Sequence, residues 1–209
     1  MSAANHALRA LVCLLIASCT DDEGIRRLVH RVCVCVCVCS VANCPDILIQ
    51  QNDGSGFFNR SWAEFKVGFG NPNGNFWLGN DRLSQLTADY GYKLKFDLQQ
   101  GGTGNWYYAE YSSFRVLSEA VNYTMHVGGF SGNASNDAFG THNGEQFSTF
   151  DRDNDRWLSN CAARFGGFWY PGCGVCRVNG ASSTGRFYWH GLPGFIHLRH
   201  SRMWLLCHQ

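Results

Sequence analysis

The stretch Asp151-Arg-Asp-Asn-Asp-Arg156, continued by Asn160-Cys161, Phe168-Trp-Tyr-Pro-Gly-Cys173 and Asn179-Gly180, decides how this chain is read. Asp151, Asp153 and Asp155 alternate along the run, and carboxylates this close repel one another. Arg152 and Arg156 offset part of that repulsion, and a divalent cation offsets it better. Calcium suits a carbonyl-rich loop, because it takes roughly six to eight oxygens at about 2.3–2.6 Å in a flexible shell. The run starts like an EF-hand loop but carries Arg156 where that loop needs glycine and Ala162 where it needs glutamate, so it is not one. A solvated acidic turn is the plainer reading of the same residues. The spacing of Cys161 and Cys173 suits a disulfide closing a small loop, worth roughly 3 kcal/mol in the loop-entropy account.

Working outward, 209 residues give one core of ordinary size preceded by a leader. Charged residues make up 16% and the net charge is +1, with no block of Lys or Arg, which argues against a nucleic-acid partner. With 24 Gly, 7 Trp, 8 Tyr and 15 Phe the chain is turn-rich with an aromatic interior, unlike a helical bundle. Eleven cysteines is an odd number, so at least one is unpaired or links chains. Cys173-x-x-Cys176 has no second pair or His cluster beside it, so zinc or redox chemistry is not expected there.

Ala10 to Ser18 is a short apolar run after Arg9, the pattern of a signal-peptide core, and too short to span a bilayer. Val32 to Cys39 alternates Val and Cys. As protein it reads as a strand with cysteines on one face; as nucleic acid it is a translated dinucleotide repeat that needs no packed core. Residues 1–44 are therefore read as a leader outside the fold, and 45–209 as the domain. Strands are expected at Pro45–Gln51, Lys93–Leu98, Ala109–Val116, Tyr123–Gly129 and Ile196–Leu206, with Leu94, Phe96 and Leu98 giving period-two alternation. Short helices are expected at Ser61–Val67 and Asn80–Leu86, the second capped by Asn80 or Asp81. The class is α+β, an antiparallel sheet with two helices against it and a loop-rich region from Ser131 to Gly194. Asn59, Asn122 and Asn133 each open a glycosylation sequon.

Further motifs run in order along the chain: Asn59-Arg-Ser-Trp62, Phe76-Trp-Leu-Gly-Asn80, Tyr111-Ser-Ser-Phe-Arg-Val116, Gly128-Gly-Phe-Ser-Gly132, His142-Asn-Gly144 and Phe147-Ser-Thr149. With the Asp run, Asn160-Cys161 and Phe168-Trp-Tyr-Pro-Gly-Cys173, they resemble the fibrinogen C-terminal domain of fibrinogens, ficolins, tachylectins, angiopoietins and tenascins. The resemblance covers about residue 46 to the C-terminus. It implies calcium held by the side chains of Asp153 and Asp155 and the carbonyls of Trp157 and Ser159, a Cys161–Cys173 disulfide, and a final strand returning into the central sheet. The lectin members bind acetyl groups beside the calcium loop. Carried over by position, that pocket has Phe165, the backbone at Cys173 and Gly174, and Ser182 and Ser183 as its wall. Gly174 stands where the family often has His, Phe165 where lectin members use Tyr, and the family's first subdomain is represented only by Asp46 to Gln50.

No nucleophile elbow and no acid–base carboxylate pair is present, so an enzyme is not expected. The leading expectation is a secreted, calcium-dependent lectin of innate-defence type binding acetylated glycans, with homo-oligomers supplying avidity. The alternatives are a protein-interaction module of the same fold, as in matrix or signalling members, and a truncated fragment without function.

Overall fold

Along β4 (Tyr92–Gln100), Leu94, Phe96 and Leu98 are fully buried while Lys93, Lys95 and Asp97 take the opposite face. This is the alternation a half-buried strand requires. The structure is a computed structural model that describes residues 45–88, 92–194 and 196–207. These all fall within one of two compact units, Cys39–Gln209. The signal-like segment and the Val-Cys repeat lie outside the described residues.

β4 sits inside a seven-stranded antiparallel sheet. The other strands are β1 (Ile47–Asn52), β2 (Phe69–Gly70), β3 (Phe76–Trp77), β5 (Trp106–Val116), β6 (Met125–Gly132) and β11 (Leu198–Cys207), in the order β2-β3-β1-β11-β4-β5-β6. The last strand returns to the centre between β1 and β4, pairing Met203 with both Gln50 and Phe96. Every expected strand is present with shifted ends. Tyr123, expected to open the strand that became β6, instead precedes it in a left-handed turn (φ 50°) and is fully buried.

α1 (Trp62–Val67) starts at a capping box. The Ser61 hydroxyl accepts from Glu64 N–H at 3.3 Å, and Glu64 Oε2 accepts from Ser61 N–H at 2.8 Å. Each bond satisfies an amide that the first helical turn leaves unpaired. Ser61→Ala is expected to cost about 1 kcal/mol, read as a shift in the urea midpoint. Trp62 and Phe65 face inward, but Val67 is exposed.

α2 (Asn80–Leu86) has the expected bounds but a different start. Gly79 holds the cap position without a side-chain bond, and the Asn80 side chain accepts from Trp77 Nε1–H at 3.0 Å. The Asp81 carboxylate accepts from the Tyr123 hydroxyl. Gly79 (φ 107°) and Gly68 (φ 94°) let the two helices meet. A Cβ on Gly79 would lie 2.7 Å from the Val67 carbonyl carbon, and one on Gly68 would lie 2.5 Å from Leu78 O. Both are backbone contacts that cannot yield, so glycine is required.

Between β6 and β11 the elements are short: β7 (Phe147–Ser148) with β8 (Phe168–Trp169), α3 (Cys161–Phe165), and β9 (Cys176–Arg177) with β10 (Tyr188–Trp189). Two features hold this region to the sheet. One is a continuous aromatic core that includes Phe65, Trp77, Phe147, Trp169, Phe139, Phe96 and Trp189. The other is a buried polar clasp. Gln50 Nε2 donates to Val178 O at 3.1 Å, with Asn179 Oδ1 and Ser201 Oγ both at 3.0 Å, and Asn52 Nδ2 donates to Val178 O and Gly180 O. Buried amides need such partners, and here those partners pin the irregular segment to β1.

Candidate functional site

The acidic loop runs from β7 to α3. Asp151 is used structurally: its Oδ1 accepts from Trp62 N–H at 2.9 Å and from the Thr149 hydroxyl at 2.7 Å. Asp155 accepts Trp157 N–H on one oxygen and Cys161 N–H on the other, each at 2.8 Å. Asp153 Oδ1 accepts Asp155 N–H at 3.2 Å. Burial pushes the Asp155 carboxyl up and the Asp153 charge adds to it, against two backbone N–H bonds that favour ionisation.

The two arginines expected to neutralise this pair are turned elsewhere. Arg156 pairs with the buried carboxylate of Glu145. Arg152 stacks on Trp62 at 4.0 Å and reaches Glu119 and Asn122. Asp153 and Asp155 are left as a like-charged pair with no cationic side chain on them among the described residues. That donor set fits a cation. Among the described residues no group of three or more His, Cys, Asp or Glu converges, so a metal here would depend on carbonyl oxygens as well. Trp157 and Ser159, whose carbonyls the resemblance implies as ligands, are both exposed on the loop.

Cys161 at the start of α3 is bonded to Cys173, with Cα atoms 5.0 Å apart. Cys176 is fully buried as a thiol, and burial pushes its pKa well up, so it neither links chains nor attacks. Cys173 of this disulfide lines an open cleft of about 640 Å³, together with Trp157, Phe165, Pro171, Gly172, Gly174 and Val175. Arg164, Arg177 and Arg186 complete it. Phe165 is only 4% exposed, because the Arg177 guanidinium lies 3.7 Å over its ring.

The structure thus brings Phe165, Cys173 and Gly174 together and does not bring Ser182 or Ser183 to them. Ser182 lines a separate cavity of about 340 Å³ with Phe187, His197 and Leu198, and donates its amide N–H to Gly54 O. Ser183 is exposed on the neighbouring turn. The sequons also differ. Asn59 and Asn133 are exposed, whereas Asn122 is half-buried with its side chain bonded to Gln146 and Arg152.

Sequence reasoning did not reach the arginines of the cleft, nor Trp157 as a wall 60% exposed. No local spacing joins positions 164, 177 and 186; only the fold places them round one ring.

The family model for the C-terminal globular domain of fibrinogen beta and gamma chains matches residues 32–204, beginning before the boundary at 45 expected above. Human Angiopoietin-2 is 40% identical over 157 residues, covering 69% of this chain and 32% of its own length. The fibrinogen-like globe domain of human ANGPTL2 superposes with a TM-score of 0.71 at 34% identity, covering 82% of this chain and 85% of that one. The lamprey fibrin D-dimer, in complex with the peptide Gly-His-Arg-Pro-amide, superposes with a TM-score of 0.66 at 28% identity, covering 77% of this chain and 60% of that one. The chain spans about a third to a half of the first curated relatives it matches. The chain belongs to the fibrinogen C-terminal domain family, a non-catalytic recognition module. Its disulfide suits the oxidising extracellular environment of a secreted protein.

Proposed function

We propose that this domain recognises a protein partner outside the cell at the cleft beside Cys161–Cys173, with calcium bracing the acidic loop that carries Trp157. The position of Arg177 supports this reading most. A slot for an acetyl methyl needs an open apolar wall, and the Phe165 ring lies beneath a guanidinium. Ser182 and Ser183, the polar half of an acetyl pocket, lie outside the cleft. The lamprey relative, in complex with a short peptide, supports a peptide ligand for this fold. The acetylated-glycan lectin remains the second reading, favoured by the exposed Trp157 indole, since aromatic faces also take sugars. In either case a single open cleft binds weakly, and a homo-oligomer would raise avidity.

Asp153 and Asp155 would hold the calcium, with carbonyl oxygens of Trp157 and Ser159 completing its shell. Its charge would offset the repulsion of the two carboxylates and fix the loop. Calcium titration of the full chain is expected to saturate and to raise the melting temperature by about 5 °C when the ion is well above its Kd. Asp153→Asn keeps the oxygen that accepts Asp155 N–H and removes one charge. It is expected to abolish the calcium response while leaving the calcium-free protein as stable as before or slightly more so. A wild-type response in that variant would place the ion elsewhere. To separate the two ligand readings, an array of N-acetylated glycans is probed with the calcium-loaded chain. Binding lost in Phe165→Ala would favour the lectin over the protein-interaction module.

A further inference from the structure

Three guanidinium groups surround the Phe165 ring. The Arg177 Cζ lies 3.7 Å from the ring centroid, Arg164 5.2 Å and Arg186 5.7 Å. They come from three segments: α3, β9 and the turn before β10. Arg177 is held on both sides, since its Cζ also lies 4.5 Å from the Tyr188 ring, and its Nε–H donates to Cys173 O at 2.9 Å. That fixes the plane of the guanidinium and leaves its two terminal nitrogens without a partner among the described residues.

The cluster is also unneutralised. Ion pairs among the described residues use Arg60, Lys66, Lys95, Arg152 and Arg156 against Asp and Glu; none uses Arg164, Arg177 or Arg186. Arg186 Nη1 donates to Arg164 O at 3.2 Å, a carbonyl rather than a carboxylate. Burial lowers the Arg177 pKa, and the nearby charges of Arg164 and Arg186 push the same way. A guanidinium stays charged under these conditions, so the cost is borne by the fold. A half-buried, preoriented guanidinium with free N–H groups and no acid is a receptor for an oxyanion, whose carboxylate geometry it matches with two parallel bonds.

We propose that the cleft selects a carboxylate side chain on an acidic peptide segment, gripped by Arg177 and flanked by Arg164 and Arg186. This rests on the protein-partner reading above and specifies what that partner presents. A polyanionic glycan fits less well. The chain carries a net charge of +1 and no block of Lys or Arg along its sequence. The three guanidiniums gather round one ring, Phe165, so they offer a single anion position and not a row of them. One carboxylate among neutral residues suits that single position, with the exposed Trp157 indole, which also lines the cleft, available to the residue beside it.

The test uses the full calcium-loaded chain and a displayed random heptapeptide library. Selected peptides are expected to share one Asp or Glu. Changing that acid to its amide is expected to weaken binding at least tenfold, as is Arg177→Gln in the protein. Arg177→Lys, which keeps charge but loses the fork, is expected to recover only part of it. Arg164→Glu provides the folding control, because that side chain is exposed: about a tenfold loss with an unchanged melting temperature supports the proposal. Selected peptides with no acidic position, binding Arg177→Gln as well as wild type, would overturn the carboxylate and leave the peptide cleft standing. A sulfated hexasaccharide that binds through Arg177 while no peptide is selected would overturn it in favour of a glycan and take the protein-partner reading with it.

Discussion

Trp169→Ala is expected to destabilise the domain by about 3–5 kcal/mol. The side chain is fully buried, and its ring meets those of Trp77, Phe114, Phe139, Phe147 and Phe168. Those neighbours come from β3, β5, the loop after β6, β7 and β8, so the indole joins the sheet to the loop-rich half that carries the cleft. Removing it leaves a cavity that rigid aromatic walls close poorly, and the cost rises with the volume left open. Its Nε1–H also donates to Tyr123 O at 2.8 Å, the carbonyl of a residue held at φ 50°. Trp169→Phe separates the two contributions. It keeps most of the ring contacts and strands that carbonyl, so about 1–2 kcal/mol is expected. Urea unfolding followed by far-ultraviolet circular dichroism measures both. A loss under about 1 kcal/mol for Trp169→Ala would mean that the two halves are joined by other contacts, with the Gln50 clasp the first place to look.

The difference between what the sequence told and what only the fold told follows the range of each interaction. Alternation at Leu94, Phe96 and Leu98 is local, and so is the start of α1 at Ser61; both were readable because their period or spacing reflects backbone geometry, while the reciprocal bond from Glu64 came only with the structure. The Cys161–Cys173 pair and the ordered motifs were readable through the family. The start of α2 was misread because Asn80 has the chemistry of a cap but is drawn to Trp77, a contact that propensity does not weigh. The placement of Arg152 and Arg156 failed similarly. Neighbouring opposite charges suggest local pairing, whereas Glu145 is a buried carboxylate that needs Arg156 more, and Trp62 offers Arg152 an aromatic face. The arginine cluster on Phe165 gave no sequence signal, since its members lie on separate elements and meet only when α3, β9 and the turn before β10 converge.

Acidification is expected to cost this domain about 3 kcal/mol through one side chain, His142. It is fully buried, stacked on Phe139 and bordered by Phe168 and Tyr170. Burial pushes its pKa down to about 4, against a hydrogen bond from Nδ1–H to Trp169 O at 2.6 Å that favours the charged form. Nε2 is left bare, with no partner among the described residues. The unfolded chain takes up the proton near pH 6.5 and the folded chain only near pH 4. Stability from this group is therefore intact above pH 6.5, falls as pH drops through that window, and levels off below it. About 2.5 pH units at about 1.36 kcal/mol each gives the size of the effect. His142→Asn places an amide N–H where Nδ1–H stood and removes the titration. Its absolute stability should drop, but the slope of unfolding free energy between pH 6.5 and 4 should flatten relative to wild type. Comparing slopes cancels Glu145 and Asp155, whose raised carboxyl pKa values act with the opposite sign in the same range. Equal slopes in the two proteins would show that the ring escapes to solvent before it is protonated. The cost falls beside the cleft, because a Cβ on Gly174 would lie 2.7 Å from the His142 ring. Gly174→Ala is therefore expected to displace the ring and move the acid midpoint, at the residue next to Cys173, whose carbonyl accepts from Arg177 Nε–H.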